Sequence, residues 1–164
     1  MLKLHLGCGN NKMGGYVNID LHSPVADVQH DLTQPLPYGD NSIDEITSIH
    51  LIEHFTRAEW QRIKKDWVRV LKVGGLMIIE CPNFERCVKH FLDAPTIERS
   101  FWMLTIYGGQ EAYGEGQLHK NGFTVERLIS DLESEGMKIA KVKHKWDNIF
   151  NPDGFNIFLR AVKK

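Results

Sequence analysis

The stretch from Leu2 to Leu21, LKLHLGCGNNKMGGYVNIDL, constrains the fold more tightly than any other. A short apolar strand runs into a Gly-Cys-Gly turn, and a second strand follows that ends in Asp20. Gly7 and Gly9 carry no Cβ, so the backbone there turns sharply and approaches a ligand closely. Residues 10–15, all that separates the turn from the second strand, are too few for the helix that usually joins parallel strands. Asp20, at a strand end, is placed to accept hydrogen bonds from a ribose diol.

Set beside the dinucleotide fingerprint G-x-G-x-x-G, the turn lacks its third glycine, with Lys12 in that place. No helix N-terminus is left to hold a pyrophosphate. Asp20 also follows Gly7 too closely, since the dinucleotide pattern sets its acid about 20 residues on. These departures disfavour NAD and FAD. They suit a nucleoside ligand with a sulfonium and an amino-acid tail, which needs close backbone approach but no phosphate cradle.

With 164 residues the chain reads as one domain, 1–164, whose substrate pocket must come from loops. The 20 basic and 21 acidic residues are well mixed and leave a net charge of -1, which gives no footprint for duplex nucleic acid or an anionic membrane. No signal-peptide core or membrane span is present in the sequence, so a cytoplasmic protein is expected. Cys8, Cys81 and Cys87 form no CxxC pair and suit reduced thiols; no metal ligand set is assigned. The number of copies in the assembly is not legible.

Strand patterns recur at Leu2–Leu6, Tyr16–Asp20, Ala26–His30, Glu45–Ile49 and Leu76–Cys81, the last a continuous apolar run of the kind buried on both faces. The pattern predicts a mostly parallel α/β sheet. A helix is expected after the fourth strand, because Thr56 and Glu59 form a capping box, Phe55 and Trp60 a hydrophobic staple, and Trp60, Ile63, Trp67, Val70 and Leu71 share a face. Gly74 and Gly75 are expected to stop it. A second helix is predicted from Thr124, burying Val125, Leu128, Ile129 and Leu132, and two closing strands near Lys138–Lys145 and Phe155–Val162. Residues 83–122 are expected to be irregular. Their aromatics Phe101, Trp102, Tyr107 and Tyr113 point to a substrate lid.

A carboxylate at a strand end in an open α/β sheet sits at the ligand crevice, and Asp31, followed by Leu32, is so placed and could accept from an adenine amino group. With this residue the blocks LGCGNN (6–11), VNID (17–20), HDLTQPLPYGDNSIDEITSIHLIEHF (30–55) and RVLKVGGLMIIECPN (69–83) resemble a small class I S-adenosylmethionine-dependent methyltransferase. The resemblance implies a Rossmann-like, doubly wound sheet of seven strands with the last antiparallel, and S-adenosyl-L-methionine as cofactor. It implies that Gly7, Cys8, Gly9 and Asn10 lie against the methionine part and that Asp20, with Leu21, holds the ribose. Asp31 and Leu32 would border adenine, and His50 and Leu51 would line the methyl-transfer face. His5 departs from the family, many of whose members have an acid or amide there, and so does the missing first crossover helix.

His50, Glu53 and His54 also match the H-x-x-E-H pattern of inverted zinc peptidases, with Glu126 as a conceivable third ligand. The capping box that begins at Thr56 interrupts the continuous helix such a site needs, and a loop-orienting role for Glu53 and His54 is the simpler expectation. The candidate catalytic groups are His119, in LHKNGFT, and His54, either of which could take a proton from an acceptor. Methyl transfer from a sulfonium chiefly requires donor and acceptor to be held about 3 to 3.5 Å apart and aligned. The expected acceptor is an oxygen or nitrogen of a small molecule, with a saccharide hydroxyl preferred. The fourth strand ends in SIHL, not in the block typical of amino-directed DNA enzymes, which disfavours nucleic acid. The alternative from another class is a non-catalytic module that holds the cofactor.

Overall fold

The computed structural model describes residues 1–109, 117–145 and 154–164; Tyr113 of the expected lid lies outside them. Seven strands form one sheet: β1 (Lys3–Leu6), β2 (Val17–Asp20), β3 (Val28–Gln29), β4 (Ile43–Ile49), β5 (Leu71–Pro82), β6 (Met137–Lys145) and β7 (Asn156–Lys163). Their order is β3-β2-β1-β4-β5-β7-β6, with β1 to β5 parallel and β7 antiparallel to both its neighbours. The Rossmann-like sheet implied by the sequence is therefore present.

One face of the sheet is apolar. Register places Leu4, Leu6, Ile19, Ile46, Met77, Ile79, Leu159 and Ala161 on it, all fully buried in a single core. Two helices cover this face: α1 (Arg57–Val70), and the helix over Val125–Glu133, called α4 below. The capping box of α1 forms as read, Glu59 N donating to Thr56 Oγ1 at 3.2 Å and Thr56 N to the Glu59 carboxylate at 2.7 Å. Trp60 and Trp67 bring their rings edge to face in the core, and Trp60 meets Phe123 in the same way. The two helices are tied by Lys64, which is buried and donates to the Asp131 carbonyl at 2.9 Å and to Ser134 Oγ at 3.1 Å beside the carboxylates of Asp131 and Glu135.

The helix α1 ends at Val70, before the glycines expected to stop it. Lys163, from the last strand, caps its end instead: Nζ donates to the carbonyls of Val68 at 2.7 Å and Leu71 at 2.8 Å, where a cation suits the negative end of the helix. Gly74, at φ 79°, serves a bulge within β5, where the register jumps from Ile43↔Leu71 to Glu45↔Leu76.

The other face is polar. It carries His5, Asn18, Glu45, Thr47 and Glu80, all nearly buried. The connections 7–16, 21–27 and 30–42 contain no helix. Asn18 organises the first of them: its Oδ1 accepts from Met13 N at 2.7 Å and its Nδ2 donates to the Met13 carbonyl at 3.2 Å, the Tyr16 carbonyl at 3.1 Å and Asp27 Oδ2 at 2.8 Å. The Tyr16 hydroxyl then donates to Glu45, closing the loop over the sheet. The loop before β4 is held by α1 side chains, with Leu36 N on Asp66 at 2.7 Å and Arg69 on the Tyr38 carbonyl at 2.9 Å.

The stretch 83–122, expected to be irregular, is substantially helical. It forms α2 (Phe84–Asp93), a 3-10 turn at Thr96–Glu98 and α3 (Arg99–Tyr107). Asn83 caps α2, and a small second core of Cys87, Trp102 and Phe155 pins both helices beside the end of β5. Among the described residues no helix is long and apolar enough to cross a membrane.

Candidate active site

The first two strands run outward from the sheet centre in one direction and β4 lies on the other side of β1, so a crevice opens at the carboxyl ends of β1 and β4. The Gly7-Cys8-Gly9 turn forms its floor, with Gly7 at φ 69° and Gly9 at φ 50°, conformations natural to glycine. A Cβ on Gly7 would stand 2.7 Å from Leu51 Cδ1, so the turn and the β4 corner touch. A Cβ on Gly9 would meet nothing within 4 Å, which leaves space above the turn.

Asp20 anchors the turn, its Oδ2 accepting from Gly9 N and its Oδ1 from His22 N and Ser23 N, each at 2.9 Å. Burial pushes its pKa up, but these backbone donors outweigh that and the net shift is down, so the group is ionised. Each carboxylate oxygen has about two acceptor sites, so Oδ2 keeps one for a ligand hydroxyl. Asp31 accepts from Thr33 Oγ1 at 2.7 Å and Thr33 N at 2.9 Å, both through Oδ1, and these bonds lower its pKa. Leu32 beside it is buried, whereas Asn10 and Leu21 are exposed at the rim. Cys8 is buried with its thiol on the Gly9 carbonyl, and burial raises its pKa, keeping it protonated.

The crevice suits a ligand without phosphate. No helix begins at the turn, and the nearby Lys12 is committed to Asp27. The cradle over Gly9 and the spare acceptor on Asp20 fit a nucleoside with an amino-acid tail.

Beyond Ile49 the chain turns a corner in which His50, a residue with a side chain, holds φ 50°. Asn156 Nδ2 stands 3.0 Å from His50 Nε2 and donates also to Glu80 Oε1 at 3.2 Å. His50 Nδ1 lies 3.3 Å from Glu53 Oε1, which makes Nδ1 the protonated ring nitrogen. Only Ile52–His54 forms a short 3-10 turn, so His50 and His54 do not share a helical face and the H-x-x-E-H reading does not assemble. His54 Nδ1 instead donates to the Leu118 carbonyl at 3.1 Å, the loop-orienting contact expected for it.

The two candidate catalytic histidines do come together, with ring centroids of His54 and His119 5.0 Å apart, edge to face. Burial lowers the pKa of His119, so its ring is neutral. Backbone bonds from Lys120 N at 2.8 Å and Asn121 N at 3.1 Å to the Glu53 carbonyl lock that segment onto the corner. Sequence reasoning missed Asn156 and Glu80. An acid inside the apolar run LMIIECP was a signal for Glu80; nothing near Asn156 pairs it with a histidine more than a hundred residues earlier.

The fold is an open α/β sheet with a crevice at its switch point. Residues 4–79, from β1 into β5, match the family model described as methyltransferase domain. A SAM-dependent methyltransferase from Methanosarcina mazei superposes with a TM-score of 0.70 at 18% identity, covering 98% of this chain and 91% of that one. One from Listeria monocytogenes, a putative S-adenosylmethionine-dependent methyltransferase, gives 0.68 at 18% identity over 99% and 90% of the two chains. A putative methyltransferase of Haloferax volcanii, in complex with the Trm112 methyltransferase activator, gives 0.66 at 14% identity over 98% and 81%. No curated protein matches the chain in sequence. The chain thus shares its fold with S-adenosylmethionine-dependent methyltransferases, and its first part, residues 4–79, is similar to the methyltransferase domain.

Proposed function

We propose that the chain is an S-adenosylmethionine-dependent methyltransferase that methylates a hydroxyl of a small polar molecule, a sugar in the first instance, and that the residues of the crevice divide the work as follows. The backbone of Gly7, Cys8, Gly9 and Asn10 holds the amino-acid tail of the cofactor. Asp20, beside Leu21, takes a ribose hydroxyl on its free acceptor site, and Asp31 with Leu32 borders the adenine. The bound cofactor supplies a methyl group already activated on a sulfonium. His50 and Leu51 line the face where transfer occurs, and His54 with His119 serves the acceptor side. Residues 83–122 act as the lid, with the half-exposed Phe101 and Tyr107 of α3 available to exclude water and stack on the acceptor.

The observation that carries this reading is the joint between Asp20 and Gly9, set at a strand-end crevice that His50 borders on the far side. The imidazoles of His50, His54 and His119 support a polyhydroxyl acceptor, because they offer hydrogen bonds that suit hydroxyls. Calorimetric titration with S-adenosylhomocysteine tests the cofactor side: Asp20→Ala should weaken binding about 10- to 100-fold, the worth of one hydrogen bond to a charged group. Unchanged affinity would overturn the assignment of Asp20. Tight binding with no transfer of labelled methyl to hydroxyl or amine acceptors would instead make the chain a cofactor-holding module.

A further inference from the structure

Among the described residues, one group of metal-ligating side chains gathers: Glu53, His54 and His119, whose ligand atoms all lie within 4.8 Å of one another. The three come from two segments far apart in sequence, the corner after β4 and the strand of chain that returns from the lid. Glu53 is only 2% exposed, and its Oε2 has no hydrogen-bond partner among the described residues. A buried carboxylate oxygen left without a donor or cation is costly, and a fold that retains one has a use for it. Its other oxygen is occupied by His50 Nδ1.

His54 Nδ1 donates to the Leu118 carbonyl at 3.1 Å, which leaves its Nε2 as a lone pair. A neutral His119 likewise keeps one ring nitrogen as a lone pair. An N–H held by a backbone carbonyl is the outer-sphere arrangement that fixes ring orientation and tautomer in ligating histidines. A cavity of about 10 Å³ adjoins Glu53 and His119, bordered also by Thr105 and Asn121, with room for about one water.

We propose that Glu53, His54 and His119 bind a divalent transition cation, zinc in the first instance. Two imidazoles and a carboxylate are a ligand set that zinc accepts, and three protein ligands leave a fourth position open for water or an acceptor oxygen. The ion fastens the segment around His119 to the corner that carries His50, so it orders the acceptor side of the site. This deepens the functional reading above and rests on it only for the role of the fourth ligand. It differs from the H-x-x-E-H arrangement in its third ligand and in using Glu53 as a ligand.

The test uses the full chain, stripped with a chelator and titrated with zinc in competition with a chromophoric indicator. One equivalent should bind, and His54→Ala and His119→Ala should each weaken it by more than about 100-fold, beyond what loss of an outer-sphere partner costs. Cobalt(II) titration of the unsubstituted protein needs no variant, and should give saturable visible absorption of a four-coordinate N/O site at the same stoichiometry. No saturable uptake of either ion, or uptake undisturbed by both substitutions, would overturn the proposal. Titration with S-adenosylhomocysteine on the same samples separates the two readings. Unaltered affinity in the histidine variants leaves the cofactor site standing whatever the metal result.

Discussion

The two faces of the sheet are built on different physics. Under α1 and α4 the strands present Leu4, Leu6, Ile46, Met77 and Ile79, and cohesion there is burial of apolar surface. On the opposite face His5, Asn18, Glu45 and Glu80 are buried without any helix in the connections from β1 to β4, and cohesion there is hydrogen bonding, chiefly from Asn18 and Tyr16. A chain that shortens its first crossover gives up the apolar helix face that would cover those strands. It must then satisfy every polar group the loop and sheet bury together. The Gly7-Cys8-Gly9 turn stands at the edge of the hydrogen-bonded face, so the proposed cofactor site couples ligand binding to stability there and leaves the two separable on the other side.

Three substitutions probe this contrast. The largest stability loss is expected from Trp60→Ala, which empties the centre of the apolar face and removes the Nε1 bond to Asp131 at 3.0 Å; about 3–5 kcal/mol should be lost in urea unfolding. If cofactor affinity of the folded fraction fell as well, the two faces would not be separable. Asn18→Leu is isosteric in outline and fills the same space, but strands the Met13 N–H and the ring of His5, whose Nδ1 lies 3.1 Å from Asn18 Oδ1. A loss of about 1–3 kcal/mol is expected, now accompanied by weaker binding of S-adenosylhomocysteine. Stability loss without any change in binding would break the proposed coupling.

The smallest effect is a pH dependence from His5. Burial lowers its pKa despite the Asn18 contact, so the folded value lies below the unfolded one, near 6.5. Below that pH the unfolded chain binds the proton more readily, and stability should fall as pH drops through 6.5 toward the folded value. Replacing His5 with Asn should flatten this slope between pH 7 and 5 in thermal melts. An unchanged slope would assign it to another group.

Much of the apolar face was legible in the sequence because its determinants are local. The capping box at Thr56 and Glu59, the staple of Phe55 on Trp60 and the period of α4 each lie within a few residues, and the strands came out within a few residues of their ends. Helices α2 and α3 were missed for a physical reason. In α3 the apolar residues run all round, with Phe101, Met103, Leu104 and Tyr107 each 40% exposed or more, so no stripe of period 3.6 stands out. The end of α1 escaped too, since Lys163 caps it from the last strand. At the crevice, the turn of Gly7 and Gly9 and the strand end at Asp20 were legible from local spacing, whereas the partners of His50 and His119 depend on contacts that only the folded chain makes.

The approach of Gly7 to Leu51, where an added Cβ would lie 2.7 Å from the leucine, has an evolutionary consequence. A change at position 7 is felt at position 51. A descendant that gains a side chain at 7 must displace the Leu51 side chain and accept a left-handed backbone that favours glycine. Leu51 thus constrains position 7 independently of any ligand.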